Sequence, residues 1–245
     1  MDTKRWIIFS AITLAVIAGM IYMSVGNRLD VSDIGRDGSA KLLGAEDRNG
    51  NISDHVYGDK DSKVVLIEYG DFQCPSCKTY AAPVKNLVDK YDGKVAFAYR
   101  HFPLTQIHPN ARGAAAAAEA AGMQDKFWQM YELLFENQQE WSVAQPTERT
   151  ELFATYARQL AMDEEKFKTD LADPRITQKI NFDVALARMN EVTGTPTFLL
   201  NGKFIELNPA NAQESGEPRG IDALDKAIEA ALKEAGVEVT PATEE

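Results

Sequence analysis

The stretch Val64–Tyr80, VVLIEYGDFQCPSCKTY, admits few folds. Its apolar run Val64–Tyr69, interrupted only by Glu68, reads as a strand covered on both faces. A short turn follows, and a helix opens on Cys74-Pro75-Ser76-Cys77. Pro75 suits a first helical turn, where its missing N–H has no partner to lose. Cys74 and Cys77 are then i and i+3 on one face, with Cα atoms about 5 Å apart, within reach of a disulfide. Cys74 falls at the helix N-terminus, where free N–H groups and the positive dipole end favour the reactive thiolate. Cys77, one turn in, suits a resolving thiol.

These are the only two cysteines of the chain. A purely structural disulfide between them would close a four-residue loop, worth about 2 kcal/mol against about 4.7 for a long one. A zinc site needs four ligands, and His55, His101 and His108 lack the H-x3–5-H spacing that would complete it. A redox-active dithiol is favoured, because C-x-x-C gains meaning directly after an apolar strand and at a helix start. On a central strand Glu68 is expected to be buried near the pair. Without a partner its pKa would be raised by desolvation, making it a proton acceptor and donor for Cys77.

With 245 residues the chain can form one sizeable domain plus an appendage. Its net charge of −11 argues against nucleic acid and against tight docking on anionic lipid. After a basic start at residues 1–5, Trp6–Val25 runs twenty residues without a formal charge, long enough to span a bilayer. Trp6 and Tyr22 sit near its ends as interfacial aromatics do, and Lys4 and Arg5 predict a cytoplasmic N-terminus. A cleaved signal peptide competes, with small residues at Ser24-Val25-Gly26. Either reading exports the remainder to a compartment where disulfides persist. Residues 26–60 are polar and read as a flexible linker, with Ile52–Tyr57 an edge segment or first strand and His55 a surface histidine. A domain is expected over 61–237, with a frayed tail at 238–245.

Within that domain a helix runs from Cys74 to about Tyr91, with a kink expected at Pro83, and Lys94–His101 is a second strand, so the crossover is parallel. From about 106 to 192 the pattern is helical, with caps expected at Asp125, Thr147, Asp163 and Asp173, and a start at Pro109. Asn201-Gly202 between apolar runs predicts a hairpin. Pro196, just before it, is compatible with a trans or a cis bond. Ile221–Leu232 is a closing amphipathic helix.

In order and spacing, EYGDFQCPSC, RHFPL, IHPNARGAAAAAEAA and GTPTFLLNGK resemble the DsbA-like, thioredoxin-fold thiol–disulfide oxidoreductases, over about Ile52–Leu232. The resemblance implies an α/β thioredoxin-like fold, a central mixed sheet flanked by helices with a helical insertion, behind an N-terminal transmembrane helix. It implies that Cys74 attacks and Cys77 resolves. Glu68 matches the family's buried acid and Pro196 its cis-proline, with Thr195 offering backbone groups to a substrate strand beside Pro75 and Ser76. It implies disulfide transfer to unfolded exported proteins, a membrane quinone-linked oxidase as regenerating partner, a monomer, and no metal or organic cofactor. The most oxidising members carry a histidine in the dipeptide between the cysteines, where this chain has Pro75-Ser76. A reductase or isomerase, and a non-catalytic tethered module, are the competing functions.

Overall fold

Strand β2, Val65–Gly70, is the centre of a five-stranded mixed sheet of order β1-β3-β2-β4-β5. The computed structural model describes residues 29–207 and 220–238, together with Trp6, Phe9, Ser10 and 12–17. β3, Ala96–His101, lies parallel to β2, and Glu68 pairs in register with Tyr99. β4, Thr197–Leu200, runs antiparallel on the other side, and β5, Lys203–Ile205, closes that edge through the expected hairpin. Its turn puts Asn201 at φ 47° and Gly202 at φ 79°, the left-handed pair that Asn-Gly supplies at low cost. β1, Val56–Gly58, pairs antiparallel with β3 at the opposite edge.

Helices cover both faces because β2 and β3 are apolar on both. α2, Pro75–Lys90, runs unbroken through Pro83 and ends before Asp92 and Gly93, both at positive φ. With α9, Ile221–Glu234, it buries Leu66, Phe97 and Phe198. Between β3 and β4 lies the helical insertion: α3, Ala111–Gly122; α4, Phe127–Glu136; α5, Gln138–Trp141; α6, Pro146–Gln159; α7, Glu164–Asp170; and α8, Pro174–Met189. Asp163 and Asp173 cap α7 and α8, accepting from the backbone N–H of Lys166 and Arg175. The other cap expectations are corrected. Asp125 takes a left-handed φ of 59° and Lys126 precedes α4. Gln145 precedes α6 because Pro146, pre-set for N1, starts the helix a residue before Thr147. α3 begins at Ala111 rather than Pro109.

The stretch expected as a linker over 26–60 is partly built into the fold. A short helix, α1, Gly35–Ser39, precedes buried Asn49 and Asp54. The Arg100 guanidinium donates to the carbonyls of Ser39 and Lys41 and to Asp54. Buried backbone carbonyls need such donors, so polar composition here marks an ordered strap rather than a tether.

Residues 1–30 form a separate unit. Most of the expected span Trp6–Val25 lies outside the described residues. Among the described residues no helix is long and apolar enough to cross a membrane. Within that unit Trp6, Phe9, Ile12, Leu14, Val16 and Ile17 are exposed. The tail at 238–245 also lies almost wholly outside the described residues.

Candidate active site

Strand β2 ends at Gly70, and the chain turns through Asp71–Gln73 to start α2 at the carboxyl edge of the sheet. The turn is held from several sides. The buried Asp71 carboxylate accepts from the backbone N–H of Gln73 and Leu104 and from His108 Nδ1 at 2.7 Å. The buried Gln138 amide donates to the carbonyls of Phe72 and Cys74. Asn110 donates its backbone N–H to Gln73, and its side chain ties down the carbonyls of Trp141, Ser142 and Ala144. Gln138 carries no local motif, whereas Asp71 and His108 lie within the EYGDFQCPSC and IHPNARG stretches without having been singled out. Asn110 lies in the IHPNARG run, and its position ahead of a helix was the available signal.

Cys74 occupies the N-cap of α2 with extended backbone, and no side chain caps the helix there. The orphan N–H groups of the first turn therefore face its sulfur. Both cysteines are free thiols. Cys74 is 7% exposed and Cys77 fully enclosed. Their environments split them. The hydrogen bond from Cys77, aided by the backbone N–H groups of Cys77 and Ser76, outweighs burial and lowers the Cys74 pKa to about 5. Burial pushes the Cys77 thiol far above its usual range, helped by its bond to Cys74 and by the charge of Glu68. The Cys74 Sγ also lies 3.5 Å from the Thr195 carbonyl, to which a thiol there donates.

Glu68 is buried as expected, and neither carboxyl oxygen has a partner. Burial first, and the Cys74 charge second, raise its pKa to about 8. Pro196 follows a cis peptide bond from Thr195, resolving the choice the sequence left open. Beside it a groove of about 640 Å³ is lined by Ser76, Tyr80, Val192, Thr195, Pro196 and Phe204. Pro75 and Ser76 are exposed, and Ser76 is part of this lining. All seven residues singled out from the sequence thus converge on one edge of the sheet.

The histidines are not idle surface groups. His55 stacks on Phe127, with centroids 3.9 Å apart, and shares the buried Glu119 carboxylate with His101. His101, Glu119 and Asp183 offer donor atoms within 4.8 Å of one another. Glu119 already holds both imidazoles, and Lys179 Nζ lies 2.7 Å from Asp183, so a cation is in place. The donor set does not suit a metal.

A thioredoxin family model matches residues 50–230. A Na(+)/H(+) antiporter NhaA 3 of Salinispora tropica is 38% identical over 182 residues, 74% of this chain but 25% of that protein. The chain spans about a quarter of the length of such antiporters. Among solved structures, BdbD from Bacillus subtilis (oxidised) is 27% identical, covers 79% of this chain and 99% of its own, and has a TM-score of 0.59. A thioredoxin-like oxidoreductase from Silicibacter pomeroyi is 25% identical over 75% of this chain and 92% of its own, with a TM-score of 0.56.

Proposed function

The chain belongs to the thioredoxin family, and from that premise we propose that this oxidoreductase introduces disulfide bonds into exported proteins by exchange through Cys74 and Cys77. The carrying observation is the asymmetry of the pair. One sulfur sits at a helix mouth with a lowered pKa, and the other is sealed behind it with a raised one.

In the oxidising direction a substrate thiolate attacks Cys74 of the disulfide. The Cys74–Cys77 bond breaks, a mixed disulfide forms on Cys74, and Cys77 leaves as a thiolate that takes a proton from Glu68. A second substrate thiolate attacks the substrate sulfur of the mixed disulfide. The substrate gains its S–S bond and Cys74 departs as a thiolate, which its surroundings favour. Stabilising the reduced form makes the disulfide a better oxidant. Thr195, Pro196 and Ser76 line the groove that receives an extended substrate strand, with Pro75 beside Ser76 in the chain. Regeneration needs an electron acceptor, which we assign to a membrane quinone-linked oxidase.

The domain works as a monomer on the extracytoplasmic side, anchored by Trp6–Val25. The exposed apolar side chains of Trp6, Phe9, Leu14 and Ile17 support an anchor, as does the match to part of an antiporter chain. Anchoring raises the effective concentration of a membrane partner.

Cys74→Ser should abolish oxidation of a reduced model substrate, and full activity in that variant would end the proposal. Equilibration with glutathione tests the direction. A potential near about −120 mV marks an oxidant, and one near about −270 mV would make the chain a reductant.

A further inference from the structure

Cys77 carries charge only in passing. It is the leaving thiolate when the disulfide oxidises a substrate, and the attacking thiolate when a mixed disulfide on Cys74 resolves. Its side chain is fully enclosed. Burial first, then the bond to Cys74 and the Glu68 charge, stand against that thiolate. The backbone N–H of Asp71, which donates to Cys77 Sγ over 3.5 Å, works the other way. A charge that develops inside a protein is best met by a donor already in place.

The peptide that carries this N–H is fixed from one side by the loop that follows β3. Its carbonyl, that of Gly70, accepts the Phe102 N–H at 2.8 Å. A Cβ on Gly70 would lie 2.2 Å from the Tyr99 ring, so the bare backbone is what lets the peptide settle here. The Asp71 carboxylate then reaches the same loop twice, accepting the Leu104 N–H at 2.9 Å and His108 Nδ1 at 2.7 Å. An ionised carboxylate only accepts, so Nδ1 carries the hydrogen. The Asp71 carbonyl also accepts the Cys74 N–H at 3.0 Å, so the backbone of Asp71 meets both cysteines. His108 is the side-chain donor in this set, and its ring is half-buried.

We infer that His108, acting through the Asp71 carboxylate, holds the Gly70–Asp71 peptide so that its N–H meets the Cys77 sulfur as that sulfur becomes a thiolate. His108 and Asp71 are then positioning residues for the step that uses Cys77. The inference rests on the reading of Cys77 as the resolving thiol. In that step the Cys77 thiol gives its proton to Glu68 and its thiolate attacks the Cys74 sulfur of a mixed disulfide. The Cys74–Cys77 bond forms, and the bond from Cys74 to the bound thiol breaks. The bound thiol leaves as a thiolate carrying the electron pair. The pair of cysteines is oxidised and the departing disulfide partner is reduced.

The test mixes the reduced full chain with excess oxidised glutathione and follows glutathione release by rapid quenching. Attack by Cys74 releases the first glutathione at a rate that rises with concentration. Attack by Cys77 releases the second at a rate that does not. His108→Leu should slow the second phase about tenfold and leave the first nearly unchanged, a fraction of what outright loss of such a donor costs. His108→Asn, whose amide N–H stands at the position of Nδ1, should restore the second phase. His108→Gln, with its donor one carbon too far out, should slow it and replaces the leucine variant if that chain does not fold. Cys77→Ser should stop at the mixed disulfide. A second glutathione released by Cys77→Ser at the native rate removes the parent reading and the inference with it. A stalled Cys77→Ser beside an unchanged second phase in His108→Leu overturns the inference alone. So does equal slowing of both phases, which marks a merely structural clamp, or failure of His108→Asn to restore the rate.

Discussion

Two buried polar clusters lie on opposite faces of the same two strands. On one face Glu68 and Tyr99 keep their oxygens unpartnered beside the dithiol. On the other, one residue along each strand, Tyr69 and Arg100 are saturated. Arg100 donates to Asp54, to the carbonyls of Ser39 and Lys41, and to the Tyr69 hydroxyl. Lys179 bridges Asp54 at 3.0 Å and Asp183 at 2.7 Å, and Asp183 accepts the His101 backbone N–H. Strand alternation separates the two sets. The paired cluster ties the strap, the sheet and α8 together, whereas in the unpaired one burial raises the Glu68 pKa beside the sulfurs. Burial alone therefore does not mark a functional group in this protein.

Breaking the paired cluster should give the largest effect. Arg100→Met would leave Asp54 with Lys179 and the Leu43 backbone N–H as its remaining partners and would strip the donors from the carbonyls of Ser39 and Lys41. Loss of one partner from a buried ion network costs about 3–5 kcal/mol. Urea denaturation should register a loss of that size, and Arg100→Met combined with Asp54→Leu should recover part of it. A loss below about 1 kcal/mol, the range of an exposed pair, would erase the contrast.

The unpaired cluster should show itself in how stability depends on pH. Glu68 titrates near 8 folded and near 4.5 unfolded. Between those values the folded state holds a proton that the unfolded state has released. Stability from this group is therefore intact below 4.5 and falls as pH rises to 8, by up to about 1.4 kcal/mol per pH unit. Cys74 runs the other way, about 5 folded against 9.0 unfolded. Its contribution is present above 9.0 and is lost as pH falls through 5. Solvent screening at the helix mouth makes that slope shallower. In the reduced protein the two slopes oppose one another. Cys74→Ser should expose the decline from Glu68, and Glu68→Gln the rise from Cys74, when urea midpoints are read from pH 5 to 8 under reduction. Parallel curves for the two variants would mean that the groups do not titrate as their surroundings dictate.

The contrast also explains what could be read along the chain. The strand, the turn, the helix-mouth cysteines, the burial of Glu68 and the Asn201-Gly202 hairpin are local patterns, fixed by periodicity and turn chemistry. The paired cluster is not local. Arg100 draws its partners from Ser39, Lys41 and Asp54, whose neighbourhood is polar and so resembled a linker. His55 looked like a surface residue until Phe127 and Glu119, far along the chain, closed over it. Gln138 gives no sign in sequence of clamping the Cys74 carbonyl. Asp125 and Thr147 are good cap residues displaced by a left-handed turn and by Pro146. A polar residue is legible as buried only where its own strand is apolar, and Glu68 meets that condition.

The same division between supplied and withheld partners recurs, more weakly, at the helix starts. Asp163 and Asp173 accept a first-turn N–H at 2.9 and 2.8 Å. α2 has only the Cys74 sulfur at that position. Asp163→Ala should cost about 1 kcal/mol, the usual value of an N-cap side chain. At pH 4 Cys74 is a thiol and Glu68 is uncharged when folded, so neither redox group adds its charge to the balance. A thiol is a weak donor and acceptor, whereas serine is among the best N-caps. Cys74→Ser should then be at least as stable as the native chain, by up to about 0.5 kcal/mol. The substitution that removes the chemistry would supply the partner that α2 lacks. A clear loss of stability at pH 4 would mean that the sulfur is held for packing as much as for reactivity.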